Sequence, residues 1–358
     1  MSLLIVNAGS SSLKLRVLSE TDEVLEEKNV SDWDGSPEPI DAMAGDAVVH
    51  RVVHGGERFD GAVVVDDEVD AAIEELVPLA PLHQPRALEL IRHTRLTDRP
   101  VVACFDTSYH RTIPASAATY ALPAAWRERF GLRKFGFHGL SHAYVARRVP
   151  EVLGRGVPRL VSAHLGSGAS LCAIADGRSV ETTMGFTPLD GLVMATRSGS
   201  VDPGLLLWLQ TSGGLTADEI GEALEHRSGL LALSGRSGDL REVLAGLENG
   251  DETCRLAYEA YVHRLVGEIA RMTAALGGLD ALAFTGGVGE HSVPLRAAVI
   301  RQLDWLGITL DAEGNESSAA VINAPGGVAA CVVEAREDLT MSAQARELLG
   351  GNAGGGGY

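Results

Sequence analysis

Short apolar runs that end in clusters of glycine, serine and threonine recur along this chain and mark out its elements. Leu3-Leu4-Ile5-Val6 leads into Asn7-Ala8-Gly9-Ser10-Ser11-Ser12, after which the chain resumes as Leu13-Lys14-Leu15-Arg16-Val17-Leu18. This predicts strand, tight turn, strand. The pattern returns about 155 residues later as Leu160-Val161-Ser162-Ala163-His164, a turn Leu165-Gly166-Ser167-Gly168-Ala169-Ser170, and Leu171-Cys172-Ala173-Ile174, which suggests duplicated half-domains. Residues 47–53, 101–105, 281–285 and 332–334 read as further strands, the run at 281–285 entering the glycine turn Gly286-Gly287-Val288-Gly289-Glu290. Helices are predicted over 66–77, 86–94, 254–275 and 338–349; in the third, Leu256, Tyr261, Leu265, Val266, Ile269 and Met272 form a core stripe at helical spacing. Residues 19–46, acidic and broken by Ser36-Pro37-Glu38-Pro39, read as a surface excursion, and glycine-rich 350–358 as a disordered tail.

At 358 residues the chain is too long for one typical core, so two domains are the expectation. Its net charge of −18 argues against nucleic acid as a partner. No apolar run approaches the roughly 20 residues that span a bilayer, and no basic leader opens the chain, so a cytoplasmic location without membrane partners is expected. Cys104, Cys172, Cys254 and Cys331 are far apart, lack metal-ligand spacing and read as buried thiols.

Several stretches carry candidate chemistry. The turn at 7–14 gathers three hydroxyls and a lysine beside backbone N–H groups, which suits a bound phosphate; a plain serine-rich hairpin turn fits equally. It lacks the GxxxxGK[ST] spacing of a Walker loop. Arg51 lies inside an apolar strand, where it needs a partner or a route to solvent. Asp106 follows the strand at 101–105, at the end where ligands of α/β sheets sit. Arg133-Lys134-Phe135-Gly136-Phe137-His138-Gly139-Leu140-Ser141-His142 is rich in histidine, glycine and aromatics; a metal site on His138 and His142 would require a helix through Gly139, which this reading does not favour. Arg197 stands among small residues, as an anion-clamping arginine would, and Glu337 with Asp338 opens the last helix as first-turn carboxylates or metal ligands.

Taken together, these segments resemble the acetokinase family of the acetate kinase, sugar kinase and actin superfamily. The resemblance runs from residue 3 to about 349 and is carried by the motifs at 7–14 and 133–139, with 50–57, 80–83, 105–107, 184–188 and 285–290 matching as well. It implies an α/β fold of two ribonuclease-H-like (actin-like ATPase) domains around a central cleft, the first 1–107 completed by 338–349 and the second 108–337 holding nucleotide. It implies Mg²⁺-dependent (or Mn²⁺-dependent) transfer of a phosphoryl group from ATP to acetate, giving ADP and acetyl phosphate by direct in-line transfer. Propionate is the close competitor; an actin-like ATPase and a pyrophosphate-dependent kinase rank below.

Carried over by position, the resemblance assigns Arg51, Asp106, His138 and Arg197 to catalysis. It gives Val53, Leu82, Phe137 and Pro188 to the acyl pocket alongside Arg51. Ser10, Ser12, Lys14, His164, Gly166, Ser167 and Gly168 go to the phosphates, and Asp239, Leu240, Arg241, Gly287, Val288 and Gly289 to the nucleotide. Asn7 and Glu337 go to the metal. The chemistry is consistent, because an aliphatic carboxylate with a pKa of roughly 4 to 5 is ionised at pH 7 and needs no base, only cations and donors that hold two anions together. The chain departs from the family at Gln84, Ser167, His291 and Arg336, each where asparagine is usual, and only 36 residues separate Lys14 from Arg51, where most relatives have tens more. The resemblance implies a homodimer.

Overall fold

The structure, a computed structural model, describes residues 1–9, 12–81 and 83–351. Ser10, Leu82 and residues 352–358, read above as a phosphate ligand, part of the acyl pocket and a disordered tail, lie outside them. Two compact units emerge, one made of Met1–Arg111, Phe137–Tyr144 and the chain from Arg336 onward, the other of Thr112–Gly136 and Val145–Ala335. The segment 137–144, expected with the second domain, thus groups with the first.

The first unit is built on a six-stranded sheet of β1 (Leu3–Ala8), β2 (Ser12–Leu18), β3 (Val24–Ser31), β4 (Ala47–Val52), β5 (Val63–Val64) and β6 (Val101–Phe105), in the order β3-β2-β1-β4-β6-β5. The second is built on β7 (Arg159–Leu165), β8 (Ala169–Ala175), β9 (Arg178–Thr182), β10 (Ala281–Thr285) and β11 (Ala329–Val332), in the order β11-β10-β7-β8-β9. Apart from the short edge strand β5, the two sheets share one plan. Three antiparallel strands are followed by two parallel ones on the other side of the first strand. Each unit is therefore ribonuclease-H-like, the α/β class expected, and the two strand–turn–strand repeats open the two copies.

Alternation makes the first sheet a buried layer. Leu4 and Val6 of β1 pack with Leu13, Trp33, Ile40 and Leu90, while Leu3 and Ile5 pack with Val49, Val102, Met341 and Ala345, as a period of two requires when both faces are covered. Helix Gln84–Thr94 supplies Leu90 to one face, and helix Glu337–Gly351 supplies Met341 and Ala345 to the other. In the second unit helix Glu252–Leu276 buries Tyr261, Leu265, Ile269 and Met272.

The structure corrects some element predictions. The acidic stretch 19–46 contains β3, an exposed edge strand paired to β2, because hydrogen bonding to one neighbour needs no apolar face. Leu256 leaves the core stripe and stands 58 % exposed. The glycine turn after β10 winds into helix Gly286–His291, and the last strand closes at Val332 before 333–334. Gly350 and Gly351, read as tail, end the terminal helix. Among the described residues no helix is long and apolar enough to cross a membrane, and all four cysteines are free and buried.

Two histidines at the end of β4 are buried without charge. His50 Nε2–H donates to Thr94 Oγ1 (2.8 Å), whose own proton goes to the carbonyls of Leu90 and Ile91 (3.0 and 3.1 Å). Burial, aided by Arg99, pushes His50 down to about 3, and burial pushes His54 down to about 4. Above pH 6.5 both are neutral folded or unfolded and cost nothing; below it the unfolded chain binds protons that the fold refuses, so stability falls as pH falls. Between pH 7 and pH 5 the fold should lose about 2 kcal/mol through His50 alone. Urea unfolding at the two pH values should show a smaller loss for His50→Gln than for the parent; equal losses would contradict this account.

Candidate active site

In the first unit the parallel strands β1, β4 and β6 bring their carboxyl ends to one edge. The register Val6↔His50 sets Asn7 beside Arg51, and Asp106 is the first residue after β6. Arg51 Nε donates to both carboxylate oxygens of Asp106 (3.2 and 3.0 Å), and its Nη2 donates to Oδ2. Its Nη1 donates to Asn7 Oδ1 (3.2 Å), while Asn7 Nδ2 donates to Glu337 Oε2 (2.8 Å), which lies 4.0 Å from Arg51 Nε. Asp106 is buried and the side chains of Arg51 and Glu337 are only 14 % and 15 % exposed, so water screens this cluster little. Burial and the Glu337 carboxylate raise the Asp106 carboxyl above its ordinary range against the pull of Arg51. Burial works against the charge on Arg51, but Asp106 and Glu337 outweigh it and raise the guanidinium pKa.

His138 immediately precedes Gly139, whose backbone N–H reaches the Asp106 carbonyl. The His138 φ of +57° is left-handed, a conformation that costs a non-glycine residue energy and clusters at functional positions. Gly139 N donates to the Asp106 carbonyl (2.9 Å), and a Cβ at Gly139 would collide with that same oxygen. Helix Gly139–Leu153 begins at that glycine, so a helix does start there, against the sequence expectation. His138 sits one residue ahead of it, with His142 N donating to its carbonyl (3.0 Å). Val53 and Phe137 are both buried, and His54 meets the Phe137 ring edge-on at 5.5 Å. Lys14 of β2 lies opposite Asn7 and is exposed, and Ser12 closes the first turn by accepting from Gly9 N (2.7 Å).

The second unit offers a cavity of about 590 Å³. Gly166, Ser167, Asp239, Leu240, Arg241, Gly287 and Val288 all line it, with Ala195, Leu230, Leu244, Tyr261 and His291. Asp239 caps helix Leu240–Glu248, accepting from Arg241 N (2.9 Å), and holds the Arg241 guanidinium at 3.0 Å. Gly286 starts its helix at φ +76°, where a Cβ would lie 2.7 Å from the Leu165 carbonyl oxygen. Gly168 and Gly289 do not line the cavity: the Gly168 carbonyl accepts from Gly166 N (3.1 Å), and Gly289 is buried against Phe284. His164 pairs in register with Thr285 at the ends of β7 and β10. Arg197 Nη1 donates to the Pro188 carbonyl (3.2 Å) and its Nε lies 3.5 Å from Glu225 Oε2.

The sequence model of the acetokinase family matches residues 40–343. The chain belongs to the acetokinase family. It is 41% identical to an acetate kinase of Deinococcus radiodurans over 98% of this chain and 99% of that one. It is 49% identical to an acetate kinase of Leifsonia xyli over 85% and 78%. Among solved structures it is similar to Porphyromonas gingivalis acetate kinase (TM-score 0.89, 35% identity, 97% and 99% covered) and to a Francisella tularensis propionate kinase (TM-score 0.89, 33% identity, 97% and 99% covered).

In this chain the residues expected to depart from the family pattern have definite partners. Arg336 grips Asp338 (Nε to Oδ1 3.0 Å, Nη2 to Oδ2 2.8 Å), and Arg16 reaches the same carboxylate (3.2 Å), so the added charge is met by Asp338. Buried Gln84 donates to the His54 carbonyl (2.9 Å) and accepts from His54 N (3.3 Å), bracing the chain after β4. Ser167 and His291 line the cavity. Sequence reasoning missed the bracing role of Gln84 and the Arg16–Asp338 pair; the only signal for the latter is two opposite charges far apart in the chain.

Replacing Gly139 by alanine should force the Asp106 carbonyl away from the start of the helix. We expect a loss of about 2 kcal/mol or more in urea unfolding. A folded Gly139→Ala protein of unchanged stability would contradict the close approach.

Proposed function

We propose that this acetokinase transfers the γ-phosphoryl group of ATP to acetate, reversibly, giving acetyl phosphate and ADP. The observation that carries the reading is the half-buried Arg51 at the strand ends, tied to Asp106, Asn7 and Glu337. It is a rigid cation suited to a small anion, and an ionised carboxylate needs no general base. An acetate oxygen forms a bond to the γ-phosphorus as the bond to the bridging oxygen breaks, and that electron pair leaves with ADP. No covalent enzyme intermediate is formed.

In this reading Arg51 and Arg197 hold the acetate carboxylate and the transferring phosphoryl group, and His138 donates to that group as charge develops on it. Asp106 fixes the Arg51 guanidinium. Val53, Leu82, Phe137 and Pro188 enclose the methyl group. Ser10, Ser12, Lys14, His164, Gly166, Ser167 and Gly168 serve the phosphates, and the cavity with Asp239, Leu240, Arg241, Gly287 and Val288 takes the adenosine. Glu337 would hold Mg²⁺, which takes hard oxygen donors with one or two carboxylates among them, and Asn7 would join it only after its amide turns, since its Oδ1 now accepts from Arg51 and its Nδ2 donates to Glu337. When bound, the ion would offset charge on the phosphate oxygens. The likeness to a propionate kinase keeps propionate as a second substrate, since one methylene is worth only about 1–3 kcal/mol in an apolar pocket.

A hydroxamate assay with ATP and acetate, propionate or butyrate should give acyl phosphate fastest with acetate, and Arg197→Ala should lower kcat/KM roughly 10²–10³-fold. Acyl phosphate from none of the three acids would sink the reading. Pyrophosphate in place of ATP, and ATP hydrolysis without acid, test the other donors and the ATPase alternative.

We also propose a cytoplasmic homodimer. Helix Pro203–Thr211 buries none of its residues and leaves Leu205, Leu207 and Trp208 47 %, 63 % and 58 % exposed, a surface that a second copy would cover at a gain. Light scattering should give a dimer mass for the parent and a monomer mass for Leu207→Glu/Trp208→Glu; a monomeric parent refutes the proposal.

A further inference from the structure

Arg296 is completely buried in the second unit, on helix Val293–Gln302, and no carboxylate among the described residues pairs with it. Burying a cation this way is costly unless every donor is met. All five N–H groups are met by neutral oxygens. Nε donates to Asn315 Oδ1 (2.8 Å), Nη1 to the carbonyls of Gly289 and Glu290 (3.0 and 2.6 Å), and Nη2 to the Asn315 carbonyl and Ser318 Oγ (2.9 Å each). Two of these acceptors are carbonyls at the end of helix Gly286–His291, where backbone oxygens lack helical partners and a positive charge is favoured.

That short helix presents Gly287, Val288 and His291 to the cavity, and Ser292 and Pro294 follow it there. Asn315 Nδ2 in turn donates to the Val293 carbonyl (3.1 Å), and Glu290 Oε1 accepts from Ala335 N (3.0 Å). The guanidinium therefore ties the cavity wall to helix Val293–Gln302 and to helix Ala312–Glu316. An apolar side chain could fill the same space without the desolvation cost; only a forked cation gathers five acceptors at once.

We propose that Arg296 is a positioning residue for the nucleotide: it touches no substrate and holds the wall of the cavity in the shape that binds ATP and ADP. This rests on the reading of that cavity as the nucleotide site. Arg296→Met loses the cation, Arg296→Lys keeps the charge but not the fork, and Asn315→Ala removes one acceptor while leaving the arginine. Calorimetric binding of ADP and the separate KM values for ATP and acetate are measured for each, with folding checked by circular dichroism.

Arg296→Met should weaken ADP binding and raise KM for ATP at least about tenfold, the scale of one charge-assisted hydrogen bond. KM for acetate should stay within twofold, Arg296→Lys should recover part of the loss, and Asn315→Ala should show a smaller shift in the same direction. If Arg296→Met fails to fold, Arg296→Lys and Asn315→Ala decide by the same split. Unchanged ADP affinity in folded variants, or equal rises in both KM values, would overturn the proposal. If the parent protein itself bound no ADP, the nucleotide reading of the cavity would fall instead.

Discussion

A guanidinium held almost out of water at the carboxyl ends of parallel strands is the constraint on which the first unit depends. Arg51 is tolerated there because β1 supplies Asn7, the residue after β6 supplies Asp106, and the terminal helix supplies Glu337. Removing any one would leave the others with buried charge or unmet donors, which costs several kcal/mol in such settings. The terminal helix reaches its place because Met341 and Ala345 pack against Leu3, Ile5 and Val49. Charge satisfaction at the strand ends and apolar packing beneath them are thus one arrangement, and neither stands without the other.

The same sheet plan serves the two units differently. In the first, the strand ends carry Asn7, Arg51 and Asp106. In the second, the corresponding hairpin turn and the helix after β10 border an open cavity whose walls include Ala195, Leu230 and Leu240. The common reason is geometric: parallel strands end together, so whatever follows them gathers at one edge. What that edge does depends on the side chains placed there, and the two halves of this chain place different ones: charged groups in the first, a largely apolar cavity wall in the second.

Arg336 and Gln84, where the resemblance leads one to expect asparagine, are accommodated locally. Arg336 would disturb Glu337 if its charge were free, but Asp338 receives it together with Arg16. Gln84 uses both ends of its amide on the backbone of His54, a job for which the reach of its side chain matters. These pairings join residues that lie far apart or adjoin in sequence without any shared periodicity, so no pattern in the chain announces them.

The sequence by itself determined the strand–turn–strand repeats, the covered sheets and the residue types of an anion-handling site, because apolar alternation and turn chemistry are local properties. It also carried the family, through motifs spread over nearly its whole length. Tertiary structure alone decided that Arg51 is paired rather than solvent-facing, that Gly139 opens a helix against the Asp106 carbonyl, that the glycines after β10 wind into a helix, and that β3 joins the sheet edge. Each of those outcomes turns on contacts between segments distant in the chain or on the space left by neighbours, and neither is written in the order of residues.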